Sequence, residues 1–214
     1  SMLLEGGFNN SPEESHQVLE KVYKSNERLI RLIDELLDIS RIEEGRFEFT
    51  MESLSFIPLI FDIVDELQGA IDTSRVSLVF SPPKADSPRA ENSENEEYVV
   101  SADPEKLRQV FVNLIDNAIR YTPKGEIKVW CEVRGKKIIT AVSDTGIGMS
   151  KEDLARIFER FSRGKTSARH HTEGAGLGLY IARKIVEAHK GKIWAQSPGV
   201  GQGSTFYAEL PLKN

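Results

Sequence analysis

From Ser11 to Arg46 the chain keeps one helical period without a break, and that stretch constrains the fold more than any other feature. Ser11-Pro12-Glu13-Glu14 sets a capping residue before a proline at the first helical position, then acids where the helix dipole favours them. Apolar residues follow at Leu19, Val22, Leu29, Ile33 and Leu36, and Asn26 takes the place the same spacing would fill. Arg28, Arg31, Asp34, Glu35 and Asp38 lie between them, and Gly45 supplies a stop. A stripe this long and narrow is no domain by itself, because a lone helix cannot bury its own apolar face. It needs either partner helices or the surface of the domain that follows.

The 214 residues leave room for one large domain, or an ordinary domain with a smaller element. No apolar run approaches the roughly 18 residues that a membrane span needs. A net charge of −5 argues against nucleic acid as the main partner, since duplex binding calls for a basic face. Cys131 is the sole cysteine, which excludes an internal disulfide and fits a reducing, cytoplasmic compartment. The Ser1-Met2 opening reads as a cloning scar, so the natural start is expected upstream, and membrane anchoring of the full protein stays open.

After the helix the patterning turns to mixed α and β. Phe47–Met51 alternates like a strand, Pro58–Ile71 carries a helical apolar face, and Val76–Phe80 and Tyr98–Val100 read as short strands. Between the last two, Pro82–Glu97 holds three prolines, seven charges and no large apolar side chain, the composition of a surface loop. Asp103-Pro104-Glu105 opens a helix with Asp103 as cap, and Leu107, Val110, Phe111, Leu114, Ile115 and Ala118 form its apolar face. Strand-like runs at Ile127–Val133 and Ile138–Ser143 flank a turn at Gly135. A short helix is expected at Lys151–Phe158, a longer one at Leu177–His189, and closing strands at Ile193–Gln196 and Thr205–Leu210.

Four patterns carry candidate chemistry. Asn113, Asn117 and Tyr121 recur every fourth residue and so form one ridge of a helix. That ridge suits a polar cavity, with a neutral Asn117 oxygen for a hard cation such as Mg2+, and equally suits a solvated face. Asp144-Thr145-Gly146-Ile147-Gly148 follows an apolar strand, placing a carboxylate acceptor beside a backbone that a ligand can approach closely. An ordinary turn has the same residues. Gly174-Ala175-Gly176-Leu177-Gly178 runs into a helix, whose free N–H groups suit phosphate. It is neither a dinucleotide fingerprint, lacking the third glycine and the preceding strand, nor a phosphate loop, lacking Gly-Lys-Ser/Thr. Gly201-Gln202-Gly203 alone reads as a structural turn.

Taken in order with Phe158-Glu159-Arg160-Phe161, these patterns closely resemble the five-box signature of histidine kinase catalytic domains. Those belong to the wider ATPase group that includes gyrase, Hsp90 and MutL. The resemblance runs from about Phe47 to the C-terminus, and Leu36–Gly45 resembles the end of the second dimerisation helix of the same family. It divides the chain into residues 1–46, part of a dimerisation and phosphotransfer domain, and 47–214, an ATP-binding catalytic domain. It implies an α+β chain: a two-layer α/β sandwich of the Bergerat ATP-binding type, a mixed sheet covered by three helices, preceded by a long amphipathic helix.

The resemblance also implies roles. Asn117 would coordinate Mg2+, with Asn113 beside it near the phosphates. Arg120 and Tyr121 would contact phosphate, and Asn113 and Arg120 would serve catalysis. Asp144 would bind the adenine amine, with Gly146 and Gly148 shaping the base pocket. Gly174, Gly176 and Gly178, with Leu177 between them, would wrap the triphosphate, and Ser162–Glu173 would be the ATP lid. Lys124 and Arg160 are further phosphate candidates. Ala175 departs from the threonine often found there, which removes a hydroxyl contact. ATP or ADP, a response regulator and a second copy held through the helix are the implied partners.

None of the histidines, His16, His170, His171 and His189, has the family's phosphoacceptor context, so the acceptor helix is expected outside this sequence. His170 and His171 lack further ligands at metal-binding spacing and read as solvated lid residues. Gyrase-like and Hsp90-like members place a water-activating glutamate four residues before the Mg2+-binding asparagine. Here Asn113 stands there, a neutral amide that is no general base, so the implied reaction is transfer to a histidine rather than hydrolysis. A serine-directed kinase and a module that senses ATP without transferring phosphate are the alternatives.

Overall fold

A computed structural model describes residues 12–83, 98–162 and 175–213. The chain divides into two units, Ser1–Gly45 and Arg46–Asn214.

The first unit is helix α1, Pro12–Glu43. It starts at the proline, ends with Arg41 in its last turn, and is closed by Gly45 in the left-handed region at φ 65°. The apolar stripe is solvent-facing along its length: Leu19, Val22, Leu29, Ile33 and Leu36 are each more than half exposed.

The second unit holds β1 (Glu52–Ser55), α2 (Phe56–Ala70), β2 (Val76–Ser81), β3 (Val99–Ala102), α3 (Pro104–Tyr121), β4 (Gly125–Arg134), β5 (Lys137–Asp144), α4 (Lys151–Arg156), α5 (Gly178–Ala188), β6 (Lys192–Gln196) and β7 (Ser204–Pro211). Five strands form one sheet in the order β2-β4-β5-β7-β6. β2 runs parallel to β4 and every other pairing is antiparallel. β1 and β3 make a separate antiparallel pair. The C-terminus ties the two sheets together through a bridge between Val100 and Leu212 and the bond from Lys213 N–H to the Val99 carbonyl, 2.7 Å.

Helices α2, α3 and α5 lie side by side over the large sheet, giving the expected two-layer sandwich. α3 is the central one, and its six anticipated face residues, Leu107 to Ala118, are all buried. They pack over β5, whose Ile138 and Val142, like Ile127 and Val129 of β4, are essentially without solvent contact. Phe56 at the start of α2 sets its ring edge-on to Phe111 at 5.5 Å. Cys131 is buried with Sγ 3.4 Å from the Thr140 hydroxyl, and burial pushes its thiol up to about 12, so it is unreactive as a nucleophile.

One expected strand is absent. Phe47–Met51 alternates in sequence, but the first strand is Glu52–Ser55. The Thr50 N–H donates to the Asp103 carboxylate at 2.9 Å instead of to a neighbouring strand. The two aromatic rings serve a local cluster: Phe47 and Phe49 meet edge-on at 5.0 Å, Phe49 meets His189 at 5.3 Å, and the Lys106 ammonium lies over Phe47. Alternation here reflects two rings on one side of an extended segment, with no ladder partner.

Candidate functional site

The Asp103 cap starts the construction. Its carboxylate accepts from Lys106 N–H at 3.1 Å, which orients the first turn of α3 and sends the Asn113–Asn117–Tyr121 ridge along one flank. Asn117 Nδ2 donates to Asn113 Oδ1 at 3.1 Å, turning the Asn117 carbonyl oxygen away from its neighbour. Asn113 Nδ2 is buried and has no hydrogen-bond partner, a cost of about 1–3 kcal/mol unless a ligand supplies an acceptor.

Against that amide stands the start of α5. A Cβ on Gly178 would lie 2.7 Å from Asn113 Oδ1 and 2.8 Å from Nδ2, so only glycine allows this approach. The N-cap residue Leu177 makes no side-chain cap bond. The first N–H groups of this 11-residue helix thus receive no cap from that side chain, and the dipole there favours an anion. The Leu177 side chain is itself core, 1% exposed, so any ligand contact from it is through the backbone. Gly176, at φ 72°, packs on the Ser162 carbonyl, so the two described ends flanking residues 163–174 lie together. Gly174 and residues 163–173 of the expected ATP lid fall outside the described residues.

The second half of the site lies at the end of β5. Asp144 is buried, and its Oδ1 accepts from Gly146 N–H at 2.8 Å. Burial raises its pKa above the ordinary carboxylate value, while backbone N–H groups of Gly146 and Ser204 pull the other way. Gly146 fits beneath the end of α3: a Cβ there would be 2.1 Å from the Tyr121 carbonyl, which also accepts from Ile147 N–H at 3.1 Å. Gly148, at φ 62°, lies against the Gly199 carbonyl.

The Gly201–Gly203 turn, legible in sequence only as a structural turn, proves to brace this loop. Gly203 N–H donates to the Gly146 carbonyl and Gly201 N–H to Ile147, while the Ser197 hydroxyl takes Met149 N–H and donates to the Gly203 carbonyl. A Cβ on Gly203 would sit 2.0 Å from the Asp144 carbonyl. Ser197 and Ser204 escaped sequence reading because their partners lie far along the chain: Ser197 bonds the Met149 N–H from the turn after β6, and Ser204 pairs with Asp144 across β5 and β7. Thr122 escaped as well; its hydroxyl is buried without a partner directly after Tyr121.

The cations are placed less uniformly. Arg120 is paired with Asp116 at 2.6 Å on the flank of α3, so it meets a ligand only by sharing or leaving that carboxylate. Lys124 is exposed in the turn after α3. The Arg160 guanidinium lies over the Tyr180 ring at 5.7 Å, beside the first turn of α5. Asn113, Asn117 and Gly178 are thus brought together, Tyr121 and Gly146 are joined through the backbone, and Asp144 completes that end. Among the described residues no group of three or more histidine, cysteine or acidic side chains forms a metal cluster, so a cation here would rest on Asn117 and on ligand oxygens. No described helix is long and apolar enough to cross a membrane.

Comparison with known proteins places the fold in a family. Residues 102–214 match the family described as histidine kinase-, DNA gyrase B- and HSP90-like ATPase, and residues 1–45 match the His Kinase A (phospho-acceptor) domain. The circadian input-output histidine kinase CikA of Synechococcus elongatus is 34% identical over 99% of this chain, which spans 27% of that relative's length. The catalytic domain of histidine kinase ThkA superposes with a TM-score of 0.60 at 30% identity, covering 77% of this chain and 96% of that one. ThkA in complex with response regulator protein TrrA shares the fold, with a TM-score of 0.68 at 24% identity over 99% of this chain and 55% of that one.

Proposed function

This chain belongs to the histidine kinases, and from that premise we propose that it binds ATP between α3 and α5 and passes the γ-phosphoryl group to a histidine imidazole of a dimerisation domain, for relay to an aspartate of a response regulator. The observation that carries the reading is Asn113. Its buried Nδ2 has no acceptor, and it faces the uncapped start of α5 across Gly178. A donor without an acceptor beside a helix N-terminus calls for phosphate oxygens. The same residue is a neutral amide and takes no proton from water, which leaves the phosphoryl group for an imidazole.

The other residues divide the work. Asp144, acceptor-only when ionised, takes the exocyclic amine of adenine, and Gly146 and Gly148 keep the backbone low enough for the ring. Gly176 and Gly178 let backbone N–H groups close on the phosphates. Mg2+ fits the turned-out carbonyl oxygen of Asn117, a neutral hard donor, and would neutralise charge on the transferring group. Tyr121, Arg120, Arg160 and Lys124 would add phosphate contacts, and ThkA, solved with TrrA, is a precedent for a response regulator as the next partner.

Labelled ATP mixed with the chain and an intact, acceptor-bearing dimerisation domain tests this. Acid-labile label should appear on that domain, with little free phosphate. Rapid phosphate release in the absence of any acceptor would overturn the kinase reading.

A further inference from the structure

Away from the nucleotide face, α2 and β2 leave an apolar groove of about 690 Å³, lined by Ile57, Phe61 and Val64 on the helix and Leu78, Val79 and Phe80 on the strand. Successive strand residues point to opposite faces, yet three in a row line this groove, so it runs along the edge of β2 rather than over one face of the sheet. β2 is an end strand, hydrogen-bonded on one side to β4, and no described residue pairs with its other side. Phe61 is 55% exposed and Val79 44%, and the Phe61 ring leans edge-on against Phe80 at 6.4 Å. An open edge beside exposed apolar side chains is a template for another strand.

Charge narrows the occupant. Asp62 and Asp65 also line the groove, and neither has an ion-pair partner among the described residues; their neighbour Glu66 is the one engaged, by Arg108. A second copy of this chain would set these carboxylates against themselves. The chain's own segment 84–97 is equally unsuited by composition: it carries five acidic and two basic side chains and no apolar one larger than proline.

We propose that the β2 edge docks an extended, basic segment of another protein, which adds as a strand, drops alternate apolar side chains into the groove, and sets its cations beside Asp62 and Asp65. Backbone bonds along β2 supply affinity, and Phe61 is the anchor that sets the register.

The probe is a blocked octapeptide of alternating lysine and valine, titrated into the 214-residue chain and followed by amide NMR shifts and calorimetry. Shifts should be confined to α2 and β2. Phe61→Ser, and separately Asp62→Lys with Asp65→Lys, should each weaken binding about tenfold or more, the scale of losing one anchor. Val79→Lys is a second variant, and retained ATP-analogue binding certifies each fold. No shifts on α2 and β2, equal binding by a glutamate–valine peptide, or indifference to Phe61→Ser would each overturn the proposal.

Discussion

Gly178 and Asn113 meet so closely that a single added Cβ would stand 2.7 Å from the Asn113 amide oxygen. The start of α5 and the polar ridge of α3 therefore touch through a missing side chain. Gly178→Ala should push the Asn113 amide out of place, weaken ATP-analogue binding and destabilise the chain by about 1–3 kcal/mol, as overpacking does. Gly69→Ala in α2, where nothing lies within 4 Å, is the control and should be neutral or stabilising. Nucleotide titration and urea unfolding check both. Equal behaviour of the two variants would remove the steric explanation.

Asp144→Asn should cost about 1–3 kcal/mol of adenine affinity, because an acceptor-only group becomes one that presents a donor to the base amine. Acidity gives a second readout. Burial raises the Asp144 pKa, so the carboxylate protonates at a higher pH than an ordinary aspartate and loses an acceptor there. ATP affinity should fall on acidification before the ordinary carboxylate range is reached, and Asp144→Asn should flatten that part of the profile. The stability sign is opposite. The folded state holds the extra proton between the ordinary and the raised pKa, so this group's contribution to stability declines as pH rises through that window.

Asn117→Ala should weaken nucleotide binding in the presence of Mg2+ and leave adenosine binding intact. Titrations with Mg2+ and with chelator separate the two. A loss of the same size in both conditions would show that Asn117 acts through its bond to Asn113 and holds no cation.

His189 is buried with both ring nitrogens engaged: Nε2 accepts from Asp103 N–H at 2.9 Å, and Nδ1 lies 2.7 Å from the Ile185 carbonyl, to which it donates. It is no phosphoacceptor, and labelled ATP should leave it unlabelled. His189→Phe should cost about 1–3 kcal/mol by orphaning the buried Asp103 N–H. Urea unfolding with an unchanged slope would confirm that the loss is in the folded state.

Leu19, Val22, Leu29, Ile33 and Leu36 along α1 are each more than half exposed. Burying such side chains is worth roughly 1.5–3 kcal/mol apiece, so the chain should self-associate at micromolar concentration. Leu29→Glu with Ile33→Glu should return it to a monomer in sedimentation. A wild-type chain that sediments strictly as a monomer would refute association through this helix.

Much of this was readable in one dimension. The Asp103 cap, the buried face of α3, the hairpin about Gly135 and the stop at Gly45 were all legible, because caps, helical period and tight turns depend on neighbours a few residues away. The proposed nucleotide residues were legible as a spaced set of boxes, each weak alone. The strand expected at Phe47–Met51 was a misreading of two rings that serve Lys106 and His189, contacts made far along the chain.

By itself, the sequence determined most of the element types, the family boxes and the neutral amide at position 113. Tertiary structure alone decided which strands pair, with β2 parallel to β4 across α3 and Asp144 beside Ser204. It alone turned Gly203 from a turn residue into the brace beneath Asp144, and left the Asn113 donor without an acceptor. The reason is physical: local propensity acts over one or two turns of chain, whereas burial, pairing and an unmet hydrogen bond exist only once distant segments share the same space.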